Sequence, residues 1–88
     1  MRNRADNNQE EIVKGLRAIG ASVEILSQVG NGCPDLLVGF RGQTYLMEVK
    51  EKQGKLSPIQ VEWHTFWNGQ VAVVRNLEEA VRVLESGT

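Results

Sequence analysis

With 88 residues the chain has room for one domain, and a domain of that size buries only about 60–65% of its unfolded surface, which leaves it marginal on its own. Cys33 is the single cysteine, so no disulfide can staple the fold and oligomerisation is expected. Ten Lys and Arg against eleven Asp and Glu give a net charge of −1, which speaks against binding nucleic acid by bulk charge but not against a site that borrows positive charge from divalent cations.

Residues 1–5 are expected to be disordered. The segment Met1 to Glu11 is polar, so we expect no secretory leader and no membrane span, and a cytoplasmic, reducing location. Asn7 or Asn8 can cap a helix to about Ile19, with Ile12, Val13, Leu16 and Ile19 at helical spacing and Gly20 as its stop. Val23 to Val29 reads as a strand, and Gly30-Asn31-Gly32 as a turn. The unbroken apolar run Leu36 to Phe40 suits a strand covered on both faces. Arg41-Gly42 can close a hairpin onto a strand from Thr44 to Glu51, followed by a polar loop from Lys52 to Lys55.

Ser57-Pro58 announces a second helix with a stripe of Ile59, Trp63, Phe66 and Trp67, ended by Asn68-Gly69. Val71 to Val74 is a short strand. Asn76 caps a last helix with Leu77, Ala80, Val81 and Leu84 on one face. The order is α-β-β-β-α-β-α.

Side chains alternate along a strand, so Glu48 and Lys50 point to one face while Tyr45, Met47 and Val49 pack on the other. If residues 40–43 form a hairpin, the strands are antiparallel and Asp35 comes beside Glu48 and Lys50. Two carboxylates on neighbouring strands can hold a hard cation such as Mg²⁺, with the Val49 carbonyl as a further ligand. Such an ion activates water and polarises a phosphoryl oxygen, and Lys50 can orient the nucleophile or offset charge growing on phosphate. Each piece has a plainer reading: Pro-Asp is common in turns, and Glu-x-Lys is often a solvated ion pair. The specific feature is their combination across one hairpin.

Gly32-Cys33-Pro34-Asp35 followed by Glu48-Val49-Lys50 resembles the PD-(D/E)XK nuclease signature. Asn8-Gln9-Glu10-Glu11-Ile12-Val13, Pro34 to Gly39, Tyr45 to Lys50 and Leu56-Ser57-Pro58-Ile59-Gln60-Val61-Glu62 extend the likeness. It runs from Asp6 to Leu84 and is similar to the stand-alone VRR-NUC domains of phages and bacteria. The resemblance implies a compact single α/β domain with a mixed sheet, an αβββαβ core plus a C-terminal helix. It implies Mg²⁺- or Mn²⁺-dependent hydrolysis of DNA, with kinship to Holliday-junction resolvases and hence to recombination and repair. Gln9 departs from the pattern, since many relatives carry an acidic residue there.

On this reading Asp35 and Glu48 hold the metal, Lys50 assists the nucleophile, and Glu11 and Gln60 complete the site. Glu11 keeps the spacing Asn8-x-x-Glu11, although a helix cap gives the same pattern; adjacent Glu10 competes for the role. Ser57-x-x-Gln60 is likewise a capping box in sequence, while the resemblance turns Gln60 toward the metal or its waters. His64, one turn on, can meet a phosphate or simply be a partly buried residue. Cys33 reads as a small buried filler, and Trp63 and Trp67 as core or dimer stripe. Arg2, Arg4, Arg41, Lys52 and Lys55 can position a phosphate backbone or form a solvated surface. Branched DNA, a homodimer and replication or recombination proteins are the expected partners. The alternative is an inactive DNA- or protein-binding module on the same fold.

Overall fold

The apolar periodicity at the start of the chain becomes helix α1, Arg4–Ala18, in a computed structural model that describes residues 4–87. Ile12, Val13 and Leu16 are buried along one face of it. The helix begins earlier than a cap at Asn7 or Asn8 would allow, so Asn8 is a helical residue whose side chain serves elsewhere. Of the segment expected to be disordered, residues 1–3 (Arg2 among them) lie outside the described residues, and Arg4 and Ala5 are helical. At the other end Gly20 takes φ +99. Its N–H donates to the Arg17 carbonyl, and Ala21 N–H donates to Leu16 O, a Schellman ending. Ile19 falls beyond the helix and is half exposed.

Four strands follow in the sheet order β1-β2-β3-β4. β1 is Ser22–Ile25, β2 Leu36–Phe40, β3 Gln43–Val49 and β4 Ala72–Val74. β1 pairs antiparallel with β2, β2 antiparallel with β3, and β4 parallel with β3, so the sheet is mixed. β1 is shorter than the expected Val23 to Val29. Leu26 N–H still donates to Asp35 O, but Val29 N–H turns back onto the Leu26 carbonyl and ends the strand in a turn. Arg41 and Gly42 both have positive φ, 52° and 78°, as a two-residue type I′ hairpin requires.

Helix α3, Leu77–Ser86, starts at Asn76, whose side chain accepts the Glu79 N–H. It packs with α1 over one face of the sheet, where Leu36, Val38, Tyr45, Met47, Val49, Val74, Ala80 and Leu84 join the core. A Cβ at Gly15 would overlap the Leu77 side chain, so this glycine lets the two helices approach.

Helix α2, Pro58–Phe66, lies over the opposite face and buries none of its residues. The expected stripe is largely exposed: Phe66 is 74% accessible and Ile59 49%. Only Trp63 is half buried, in a cleft with Leu26, Cys33, Leu37 and Leu46. The strand read as covered on both faces buries Leu36 and Val38 on one, where Phe40 is partly buried, and leaves Leu37 half buried on the other. Trp63 stacks on Trp67 at 4.6 Å between ring centroids, and Trp67 Nε1 donates to Gln70 O at the exit from the helix. No described helix is long and apolar enough to cross a membrane.

Candidate active site

The tight hairpin fixes the register. Leu36 faces Met47, so the preceding Asp35 comes level with Glu48. Asp35 Oδ2 accepts the Val49 N–H at 2.9 Å, which fastens the carboxylate to β3. Within a strand a residue's N–H and C=O project to the same side, so the Val49 carbonyl also points toward Asp35.

Glu48 is 1% exposed and is the buried charged residue of the described core. Its Oε2 accepts from Gln60 Nε2 at 3.3 Å. Its Oε1 is buried without a hydrogen-bond partner and lies 3.8 Å from His64 Nε2, which is equally unpartnered. Burial, a hydrogen bond with Asp35 and the Asp35 charge push Glu48 up to about 8, with Lys50 pulling the other way. Two carboxyl groups this close resist being ionised together, so without a cation the pair retains a proton at neutral pH. Burial and the Lys50 charge push His64 down, in that order. The Cys33 thiol is pushed up by burial, then by Glu48 and Asp35, as befits a small filler rather than a nucleophile.

The glycine of the motif has a structural reason. Gly32 has φ +81, and a Cβ on it would stand 2.5 Å from the Ile59 carbonyl oxygen. The turn before Asp35 therefore touches the first turn of α2 backbone to backbone. That brings Gln60 and His64 over Glu48. The capping box expected at Gln60 is formed by one end of its amide, and the other end meets Glu48. Its oxygen accepts Ser57 N–H at 2.8 Å, while Ser57 Oγ accepts Gln60 N–H at 3.4 Å. The amide nitrogen is thereby directed to Glu48.

Lys50 lies one residue beyond β3, and its N–H continues the pairing to Val74 O at 3.0 Å. Its carbonyl accepts from Asn8 Nδ2 at 2.9 Å. Asn8 thus ties α1 to the end of the site strand, a role that sequence reasoning missed. Glu11 is exposed one turn further along the same helix. It is not gathered with the Asp35–Glu48 pair. Among the described residues no three His, Cys, Asp or Glu side chains come together as a metal cluster. Glu10 lines a separate groove with Gln9, Val13 and Arg17.

Lys52 and Lys55 are exposed on the loop that leaves β3 at the site. Arg75 Nη1 holds that loop by donating to Glu51 O at 2.6 Å and Gly54 O at 2.7 Å. Arg41 sits over Phe40 in the hairpin, at the other end of β3 from Lys50 and about 20 Å away along the strand.

The donor set suits a hard divalent cation. Asp35, just before β2, and Glu48 on β3 supply acceptor oxygens, and the burial and Asp35 charge that push Glu48 up are offset by a cation bound there. Glu48 Oε1 is left without a partner in a buried position.

No family model and no curated protein matches the chain. A solved structure described as a VRR_NUC domain matches 96% of this chain and 97% of its own, with a TM-score of 0.75 and 29% sequence identity. Motif, topology and this match together support a VRR-NUC domain.

Proposed function

We propose that the chain is a divalent-metal-dependent DNA endonuclease of the PD-(D/E)XK type. The observation that carries the reading is the pair of facing carboxyls, Asp35 and Glu48, with Glu48 buried and raised to about 8. The match to a VRR-NUC domain supports a nuclease-type domain acting on DNA.

Asp35, Glu48 and the Val49 carbonyl would hold Mg²⁺ or Mn²⁺. When bound, the ion lowers the pKa of a water and polarises a phosphoryl oxygen. Lys50, beside the pair, offsets negative charge on the phosphate as the nucleophile adds. Gln60 orients Glu48, and Asn8 fixes the strand end that carries Lys50. Glu11, exposed on α1 one turn from Asn8, is assigned to metal-bound water by family likeness alone. The exposed Lys52 and Lys55 contact phosphates without reading sequence.

Branched DNA, four-way junctions above all, is the proposed substrate by family likeness. Two symmetric cuts need two sites, and a two-fold homodimer supplies them. The exposed Phe66, Trp67 and Ile59 on α2 and the edge strand β4 offer the surface for it.

Labelled duplex, flap, single-strand and four-way substrates, incubated with pure protein in Mg²⁺, Mn²⁺ or chelator, test the activity. Cleavage only with metal, fastest on the junction, is expected. Tight binding of one form with no cleavage of any would favour a binding module instead. Sedimentation equilibrium tests the dimer: a mass near 9.8 kDa, with and without junction, would overturn it.

A further inference from the structure

We infer that His64 is a positioning residue for Glu48, forming with Gln60 a two-donor cradle in which each donor holds one oxygen of the same carboxylate. Gln60 and His64 stand one turn apart on α2 and share a face. Gln60 Nε2 reaches Glu48 Oε2 at 3.3 Å. His64 Nε2 faces the other oxygen, Oε1, at 3.8 Å. Both of these facing atoms are buried, and neither has another hydrogen-bond partner.

The side chains are 16% and 1% exposed, so bulk water does not stand in for the missing bond. A separation of 3.8 Å is too long for an N–H···O bond, and a small shift of either side chain closes it. Leaving two such atoms unpaired is costly, which favours the closed arrangement once Glu48 is anchored from its far side. The inference rests on the reading of Glu48 as a metal ligand. Carboxylate ligands are oriented by outer hydrogen bonds, and losing one typically weakens metal binding. His64 itself touches neither ion nor substrate. It sets the plane in which Glu48 presents its oxygens.

The test is calorimetric titration of Mn²⁺ into the full chain as wild type, His64→Leu, His64→Asn and His64→Gln, with a thermal melt of each. The Gln amide nitrogen stands as many bonds from Cα as His Nε2, whereas the Asn nitrogen falls short. His64→Leu and His64→Asn are expected to lose about 10–100-fold in Mn²⁺ affinity, and His64→Gln to recover most of it. A residue that only fills space would show no such rescue. Should His64→Leu not fold, the Asn and Gln variants decide between them. Equal affinity in wild type and His64→Leu, or equal loss in the Asn and Gln variants, overturns the cradle alone. A wild type that binds no Mn²⁺ overturns the metal reading, and the cradle with it.

Discussion

Gln60 Nε2 lies 3.3 Å from Glu48 Oε2 while its amide oxygen takes the Ser57 N–H at 2.8 Å. One side chain thus ends a helix and orients a site carboxylate. The two roles separate by substitution. Gln60→Glu keeps an acceptor for Ser57 N–H but sets a carboxylate against Glu48. Gln60→Ala loses both. We expect Gln60→Ala to cost about 0.5–2 kcal/mol as a broken capping box. Gln60→Glu should keep most of that stability yet weaken metal binding about 10–100-fold. Thermal melts and Mn²⁺ titration check the pair. Parallel losses of stability and affinity in both variants would count against the division.

Asp35 also has two partners, the proposed ion and the Val49 N–H at 2.9 Å. Asp35→Asn retains an amide oxygen for that N–H and should stay folded, while losing metal binding and cleavage. Asp35→Ala should lose metal as well and give up about 1 kcal/mol of stability with the hydrogen bond. Lys50→Ala should leave Mn²⁺ affinity near wild type and lower cleavage by about 10²–10³-fold. Unchanged Mn²⁺ affinity in both Asp35 variants would remove Asp35 from the ligand set.

Contacts set by local sequence were legible from the residues alone. Asp35 and Glu48 meet because a two-residue hairpin fixes the register between their strands, and Arg41-Gly42 is enough to locate it. Ser57-Pro58-x-Gln60 locates the cap in the same way. Contacts made by helix docking were not legible. Asn8 reaches Lys50 across 42 positions of chain, and nothing in its neighbourhood distinguishes it from a cap. The apolar spacing on α2 suggested a buried stripe, whereas the helix turns Gln60 and His64 toward the sheet and leaves Ile59 and Phe66 exposed. Periodicity gives a helix's faces but not which of them meets a site.

Gly32 offers a direct check on how α2 is held. Gly20 and Gly32 both have positive φ, +99° and +81°, but nothing lies within 4 Å of a Cβ at Gly20, whereas one at Gly32 would meet the Ile59 carbonyl. Gly20→Ala should therefore show backbone strain alone, about 1–2 kcal/mol. Gly32→Ala should add displacement of α2, destabilising further and lowering Mn²⁺ affinity through Gln60. Melting curves and titration of both variants give the comparison. Equal melting temperatures with equal affinity would show that the close approach is not needed.

The shared proton makes metal-free stability depend on pH in a specified direction. Glu48 is raised to about 8 in the folded chain from an ordinary value of 4.5, so the folded state binds its proton more tightly than the unfolded state. The corresponding stability is fully present below about pH 4.5 and is lost as pH rises through 8. His64 is pushed down from 6.5, and its contribution runs the other way, being lost as pH falls below 6.5. The two oppose one another on the acid side, which leaves Glu48 unopposed between pH 6.5 and 8. In chelator the melting temperature should fall across that window, with a limiting slope of about 1.4 kcal/mol per pH unit for one proton. Each kcal/mol is worth about 4–8 °C in a domain of this size. Glu48→Gln cannot titrate and should flatten the slope. Saturating Mn²⁺ should abolish it, because the ion displaces the proton and neither the folded nor the unfolded chain then holds one on Glu48 in this window. Differential scanning calorimetry at pH 6.5, 7.25 and 8, with chelator and with Mn²⁺, measures all three. A wild-type melting temperature in chelator that is constant or rises across the window would show that Asp35 and Glu48 hold no proton between them, and would remove the electrostatic basis for a cation at that point.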